Sequence, residues 1–131
     1  MSALIAALDD ALAQVGEDVI LRRIVGTSPN QINIDVTCRA RVDAVTTAEI
    51  AAGLPATDLH VVISPTQIND AKWPGGTIAA LPPFNVDQRV PRINGVDKMI
   101  LRGQAPRTIA HVAPMFIDGE LVRINLRVTG G

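Results

Sequence analysis

Aromatic side chains are almost missing from this chain of 131 residues: Trp73, Phe84 and Phe116 stand alone, and tyrosine is absent. Sugar clefts and single-stranded nucleic-acid platforms are built on stacking rings, so both are disfavoured. Cysteine occurs once, at Cys38, which excludes an intramolecular disulfide. Lysine occurs only at Lys72 and Lys98, the other basic residues being arginines. The formal charge is −1, without the basic excess that gripping a DNA backbone requires. No apolar run approaches the ~20 residues that span a bilayer. The start, Met1-Ser2-Ala3-Leu4, lacks a basic segment and leads to Asp9-Asp10, which does not suit a signal peptide. A cytoplasmic site of synthesis and residence is expected.

What is present is aliphatic. Apolar residues make up 47% and charged residues 19%, a balance that favours a folded domain over disorder. The clearest pattern runs from Ile32 to Val42. Ile32, Ile34, Val36, Cys38, Ala40 and Val42 share one parity; Asn33, Asp35, Thr37, Arg39 and Arg41 share the other. Successive strand side chains face opposite ways, so this is a ribbon with one dry and one wet side. At ~3.3 Å per residue it reaches roughly 36 Å, longer than most strands. Cys38 lies on the dry parity, where a thiol acts as a small inert hydrophobe.

Around that ribbon the chain reads as one domain, 1–131, in four stretches: a helix at 1–16, a first β part at 17–73, a long loop at 74–97 and a second β part at 98–131. Ser2 is placed to cap the helix and Gly16 to end it. Leu4, Ile5, Leu8, Leu12 and Val15 form its apolar stripe, with Asp9 and Gln14 expected in solvent. Val19 to Val25 reads as a strand joined to the ribbon through a turn at Gly26–Asn30. Thr46-x-x-Glu49 is a capping box opening a short helix that ends at Gly53-Leu54-Pro55. His60 to Ile63 is a short strand. Ser64-Pro65-Thr66-Gln67 offers Ser64 as a second N-cap, with Gln67 able to reach back.

From Pro74 to Gly95 four of the nine prolines gather with Gly75-Gly76 and Asn94-Gly95. A structureless stretch of that length is read as a protruding loop, open to proteolysis in the isolated protein. Lys98–Arg102 and Arg107–Val112 follow as strands joined by a turn at Gly103–Pro106. Pro114 marks an edge or a bulge. Asp118-Gly119 is a type I′ hairpin signal between Met115–Ile117 and Glu120–Val122. Val122, Ile124, Leu126 and Val128 then repeat the alternation, leaving Arg123, Asn125 and Arg127 outside. The fold class expected is mainly β: a small antiparallel barrel or sandwich with an N-terminal helix, short helices and one long Pro/Gly-rich loop.

Catalytic and metal motifs are not found. His60, His111 and Cys38 fall on separate strands with no ligand spacing, and Ser64 is better explained as a cap. Gly75-Gly76 lacks the Lys-Ser of a phosphate loop, and Asp9-Asp10 are adjacent helix residues that do not face each other. No catalytic, metal or cofactor residues are assigned and an enzyme is not expected. Sequence alone also leaves room for a small-molecule-binding barrel, against which the scarcity of aromatic and convergent polar groups weighs.

Four stretches carry a resemblance: Gly16–Arg23, Ile34–Ala40, Val62–Ile68 with Trp73-Pro74-Gly75, and Asp97–Gly103 with Gly119–Leu126. Together they resemble head–tail joining proteins, the head-closure or stopper proteins of long-tailed phages and prophages, over nearly the whole chain. The resemblance implies a β-barrel with appended helices that forms a ring at the virion neck. Its partners would be further copies of itself, the portal or adaptor, and tail-terminator or tail proteins, with packaged DNA passing or retained without sequence-specific binding and no membrane involved. The sites implied are the host cytoplasm during assembly and then the neck. A tail-terminator or other tail protein is the alternative. Ring contacts are heterologous and need two different patches. Leu4 and Leu8 on the helix, Trp73 and Phe84 at the loop, and the outward arginines Arg39, Arg41, Arg123 and Arg127 are the candidate contacts.

Overall fold

A computed structural model describes residues 3–25, 29, 31–73, 89–93 and 97–129. The alternating segments form six strands, β1 (Glu17–Val25), β2 (Ile32–Ala44), β3 (Leu59–Ile63), β4 (Asp97–Leu101), β5 (Arg107–Ile117) and β6 (Glu120–Val128). Three helices accompany them, α1 (Ala3–Val15), α2 (Thr47–Ala51) and α3 (Thr66–Ala71). All neighbouring strands are antiparallel, and the sheet closes on itself in the order β1-β2-β3-β6-β5-β4. The chain is therefore a mainly β protein built on a closed barrel with an N-terminal helix and short helices.

The long ribbon is β2, extended by two residues to Ala44. It is long because it serves two neighbours in succession: Ile32–Ala40 pair with β1, and Ala40–Ala44 pair with β3. Alternation places Val36, Cys38 and Ala40 inside, with Ile34 and Val42 partly covered. Ile32, at the strand's first position, is exposed, so the dry parity does not reach its end. Val19 and Leu21 from β1, Val61 and Ile63 from β3, Met99 and Leu101 from β4, Ile109 from β5, and Leu121, Ile124, Leu126 and Val128 from β6 line the interior with them. A six-stranded barrel is narrow, and these aliphatic side chains fill it. Burial pushes the Cys38 thiol up to about 12, away from thiolate chemistry.

Local signals set the connections. Asp118 (φ 51°) and Gly119 (φ 78°) occupy the two left-handed positions of the β5–β6 turn, as the Asp-Gly pair requires. The β4–β5 connection turns one residue earlier than Gly103–Pro106. Arg102 and Gly103 both have positive φ, and Gln104 N donates to Leu101 O at 2.9 Å. The Thr46–Glu49 capping box is present in both halves: Glu49 N donates to Thr46 Oγ1 and Thr46 N to Glu49 Oε1. The box expected at α3 is not. Pro65 occupies the cap position, Ser64 Oγ accepts from Thr66 N two residues on, and Gln67 Oε1 is buried without a hydrogen bond among the described residues.

β5 is one strand where the sequence suggests two. Pro114 does not interrupt it but stays in register opposite Ile124. The irregularities lie elsewhere, between Ile109 and His111 and between Met115 and Phe116. At the second of these, Met115 pairs with Arg123 and Phe116 with Leu121, leaving Val122 as an extra residue on β6. Leu121 and Val122 are therefore buried in succession, against the simple alternation. Residues 74–88 and 94–96, which carry most of the expected loop, lie outside the described residues, as does most of the turn at 26–30.

Candidate interaction surface

The outer half of the β5–β6 hairpin has no further strand paired to either edge among the described residues. β4 pairs with β5 only at Lys98↔Thr108 and Met99↔Arg107, and β3 pairs with β6 only from Ile124 to Val128. The segments 110–117 and 120–123 thus continue past the barrel as a two-stranded ribbon. One strand of it shows Met115, Phe116 and Ile117, which are 44%, 46% and 41% exposed. Leu4, Val15, Ile32, Ile50 and Ile93 are exposed singly, whereas here three large apolar residues stand exposed in succession. Pro114 marks this segment in the sequence as an edge strand able to supply a contact patch, but nothing in the composition of Met115–Ile117 separates an exposed arm from a buried one.

α1 lies along the base of the ribbon. It buries Ile5 and Leu12, while Leu4 and Val15 remain 55% and 65% exposed. The single stripe expected from Leu4 to Val15 is thus split, because a helix on a convex barrel buries a narrower arc than its apolar residues span. Leu4, Ala7 and Leu8 face Met115, Val122 and Arg123 across an open groove of about 300 Å³. Of the two helix residues proposed as contacts, Leu4 is accessible and Leu8 is half-buried on the groove wall. Asp9, expected in solvent, is half-buried and accepts from Thr66 Oγ1 at 2.6 Å. Thr66 Oγ1 in turn accepts from Ser64 Oγ at 3.1 Å, so a short polar chain ties α1 to the start of α3.

The four outward arginines have different roles. Arg39 holds the end of α1: its Nε donates to Leu12 O at 2.9 Å, and Nη1 reaches Asp18 at 3.4 Å. That guanidinium satisfies a terminal helix carbonyl, so Arg39 is an internal staple before it is a surface contact. Arg127 is held 3.4 Å from the buried Asp58, again within the chain. Arg41 is exposed and pairs with Asp43 on the same strand face at 3.0 Å. Arg123 donates to Asn125 at 2.8 Å and lines the groove under the ribbon. Arg41 and Arg123 are the two left available to a partner.

Trp73 is not a contact residue. It is 3% exposed, and its Nε1 donates to Ile34 O at 2.8 Å. That bond caps the stretch of β2 which β3 is too short to cover. Its ring lies 4.5 Å from the Arg23 guanidinium. Arg23 occupies a core position of β1, in line with Val19 and Leu21, and is fully buried with Asp97 directly opposite on β4. Arg23 Nε and Nη2 each donate to an Asp97 oxygen at 2.9 Å, and Arg92 N donates to Asp97 Oδ2 at 2.6 Å. A fork-on-carboxylate pair with a stacked ring is the arrangement that makes a buried arginine tolerable. This pair was barely legible in the sequence. The parity of Val19-x-Leu21-x-Arg23 was its only signal. Phe84, the remaining proposed contact, lies outside the described residues.

The polar residues considered for chemistry are dispersed. Cys38 is inside the barrel, whereas His60 and His111 border a shallow outer groove with Glu49 and Arg127. His60 Nε2 sits 2.7 Å from Glu49 Oε2, bracing α2 on the barrel. The Thr46 backbone N–H, with His60 second, holds the Glu49 carboxyl below its usual range. No group of three or more His, Cys, Asp or Glu among the described residues could hold a metal ion, and no described helix is long and apolar enough to cross a membrane. Comparison of the chain with protein-family models, with curated proteins and with solved structures found no match.

Proposed function

We propose that the protein is a structural virion-assembly component of a tailed phage or prophage, forming a ring at the head–tail neck that closes the DNA-filled head and accepts the tail. The observation that carries this reading is the β5–β6 ribbon, which extends past a filled barrel and shows Met115, Phe116 and Ile117 to solvent. A barrel whose interior is occupied by its own side chains offers surfaces rather than a lumen, and Met115, Phe116 and Ile117 form a run of exposed apolar residues on the ribbon. The resemblance of Gly16–Arg23, Ile34–Ala40 and the later stretches to head-closure proteins supports the same reading.

In this scheme the ribbon and the adjoining groove beside α1, which share Met115, form one patch, and a heterologous ring contact requires a second, different one elsewhere on the barrel. The portal or adaptor sits on one side of the ring and tail-terminator or tail proteins on the other. The near-neutral formal charge of −1 suits a channel through which DNA moves without adhering. No cofactor is invoked. Assembly takes place in the host cytoplasm and the product resides in the virion neck.

Electron microscopy of the protein mixed with its own portal tests the proposal. The expected outcome is a ring seated on the portal, with the isolated protein a monomer or weak oligomer. A deletion strain should accumulate filled heads that lose DNA and take no tails. Normal infectious particles from that strain would sink the idea. Association with tail components alone would move the protein to the tail.

A further inference from the structure

The tip of the β5–β6 ribbon is acidic as well as apolar. Asp118 and Glu120 are exposed and have no hydrogen-bond or ion-pair partner among the described residues. They adjoin Met115, Phe116 and Ile117, with Glu120 directly opposite Ile117. A two-fold contact centred on this tip would crowd the carboxylates of both copies together, so its occupant must carry the opposite sign. The outer wall of β1 and β4 does. Alternation with the buried Val19, Leu21, Met99 and Leu101 puts Ile20, Lys98 and Ile100 on the outside. Ile20 and Ile100 are cross-strand partners and half-buried, which makes them an apolar pair on the outer face. Lys98, two residues from Ile100, donates to Thr108 Oγ1 at 3.0 Å and has no carboxylate among the described residues. Its neighbours on this wall are already matched, Arg22 by Asp35 and Arg102 by Glu17.

We propose that the ribbon tip of one copy seats on the β1–β4 wall of the next, Met115 and Ile117 over Ile20 and Ile100, with Asp118 and Glu120 at Lys98. The spacings agree. Glu120 is one cross-strand step, about 5 Å, from Ile117. Lys98 is two strand residues, about 7 Å, from Ile100. Barrel strands tilt by roughly 35–45° to the axis, so a ribbon that outruns its neighbours leaves the barrel sideways, toward an adjacent copy. Tip and wall are different surfaces on different strands, so the contact is heterologous and repeats head to tail. Few residues meet on each side, which keeps a single contact weak until ring closure makes the contacts cooperate. The inference rests on the ring reading above and names the two surfaces that such a ring would use.

Cysteine cross-linking of the full chain tests it, because Cys38 is buried and an engineered surface thiol reacts alone. Lys98→Cys and Glu120→Cys are made as separate proteins and treated with a short bis-maleimide, each alone and mixed. The mixture should give a covalent dimer, several-fold more than either protein alone. Glu120→Cys linking to itself as readily would show a two-fold ribbon contact and overturn the proposal, as would no link in concentrated solution or on the portal. Sedimentation velocity supplies a second measurement. Lys98→Glu or Glu120→Lys should weaken association about tenfold with an unchanged circular-dichroism melt. The double variant K98E/E120K should recover to within about threefold, since the pair re-forms with its signs exchanged. Association indifferent to both single changes overturns the contact. Rings on the portal without the mixed cross-link would remove this contact and leave the neck reading standing. The mixed cross-link in solution with no ring on the portal would support the contact and remove the neck reading.

Discussion

Gly16 sits where α1 ends and β1 begins, and backbone presses on it from two sides. A Cβ at this position would lie 2.4 Å from Leu12 O and 2.7 Å from Ala40 O. Leu12 O already accepts from Gly16 N at 2.8 Å and from Arg39 Nε at 2.9 Å. Neither oxygen can swing aside as a flexible side chain would, so the helix end or β2 must shift. Gly16→Ala is expected to destabilise the protein by about 1–3 kcal/mol, the range for overpacking a filled site. Urea unfolding measures it; an unchanged midpoint would mean that α1 lifts from the barrel without loss. The requirement for glycine here is one of space, whereas Gly119 is selected by its left-handed backbone.

Among the elements, α2 shows how a five-residue helix persists without burying a residue. It has no core contact of its own and depends on the Thr46–Glu49 box and the brace to His60. The same carboxylate accepts from Thr46 N and lies against His60, and these bonds depress its pKa from the ordinary value of 4.5. Between the depressed folded value and 4.5, the unfolded chain binds more protons at this site than the folded one. The stabilisation is therefore complete above 4.5 and drains away as pH falls through the folded value. Glu49→Gln should lower the melting temperature more at about pH 6 than near pH 3, since the advantage of the carboxylate fades as pH falls below 4.5 through the depressed folded value. Thermal melts of both proteins across that range check it. An equal deficit at both pH values would mean that Glu49 acts through shape alone.

For the whole molecule, closure of the barrel rests on β4. That strand pairs with β1 along its length but with β5 only at Lys98 and Met99. The Arg23–Asp97 pair lies across the β1–β4 seam and also receives Arg92 N, while Trp73 stacks on its cation. One buried carboxylate thus joins the seam to both flanks of the segment between Trp73 and Arg89. Asp97→Asn strands the Arg23 charge in the interior and should cost about 3–5 kcal/mol, whereas replacing both partners by aliphatics should cost much less. Equilibrium unfolding of the single and double variants decides it. Equal losses would show that the pair matters for packing rather than for charge.

Local chemistry was enough to specify much of this protein. Period-two alternation marked β2 and β6, the Asp118-Gly119 pair marked the last hairpin, and Thr46-x-x-Glu49 marked α2, because each depends on neighbours within a few residues. Cys38 was legible as core for the same reason. Tertiary structure decided the rest. Barrel closure left β5 beyond Thr108 and β6 before Ile124 without a second strand neighbour among the described residues, so an ordinary hairpin became an exposed apolar ribbon. The convex surface under α1 chose Ile5 and Leu12 from a wider stripe. Trp73 went inward and Arg39 turned to Leu12 because of partners far off in sequence, 39 and 27 residues away. A strand's pattern records which side faces a core. It carries no record of where its neighbours end, and on this protein those endings decide which apolar residues of the last hairpin stay exposed.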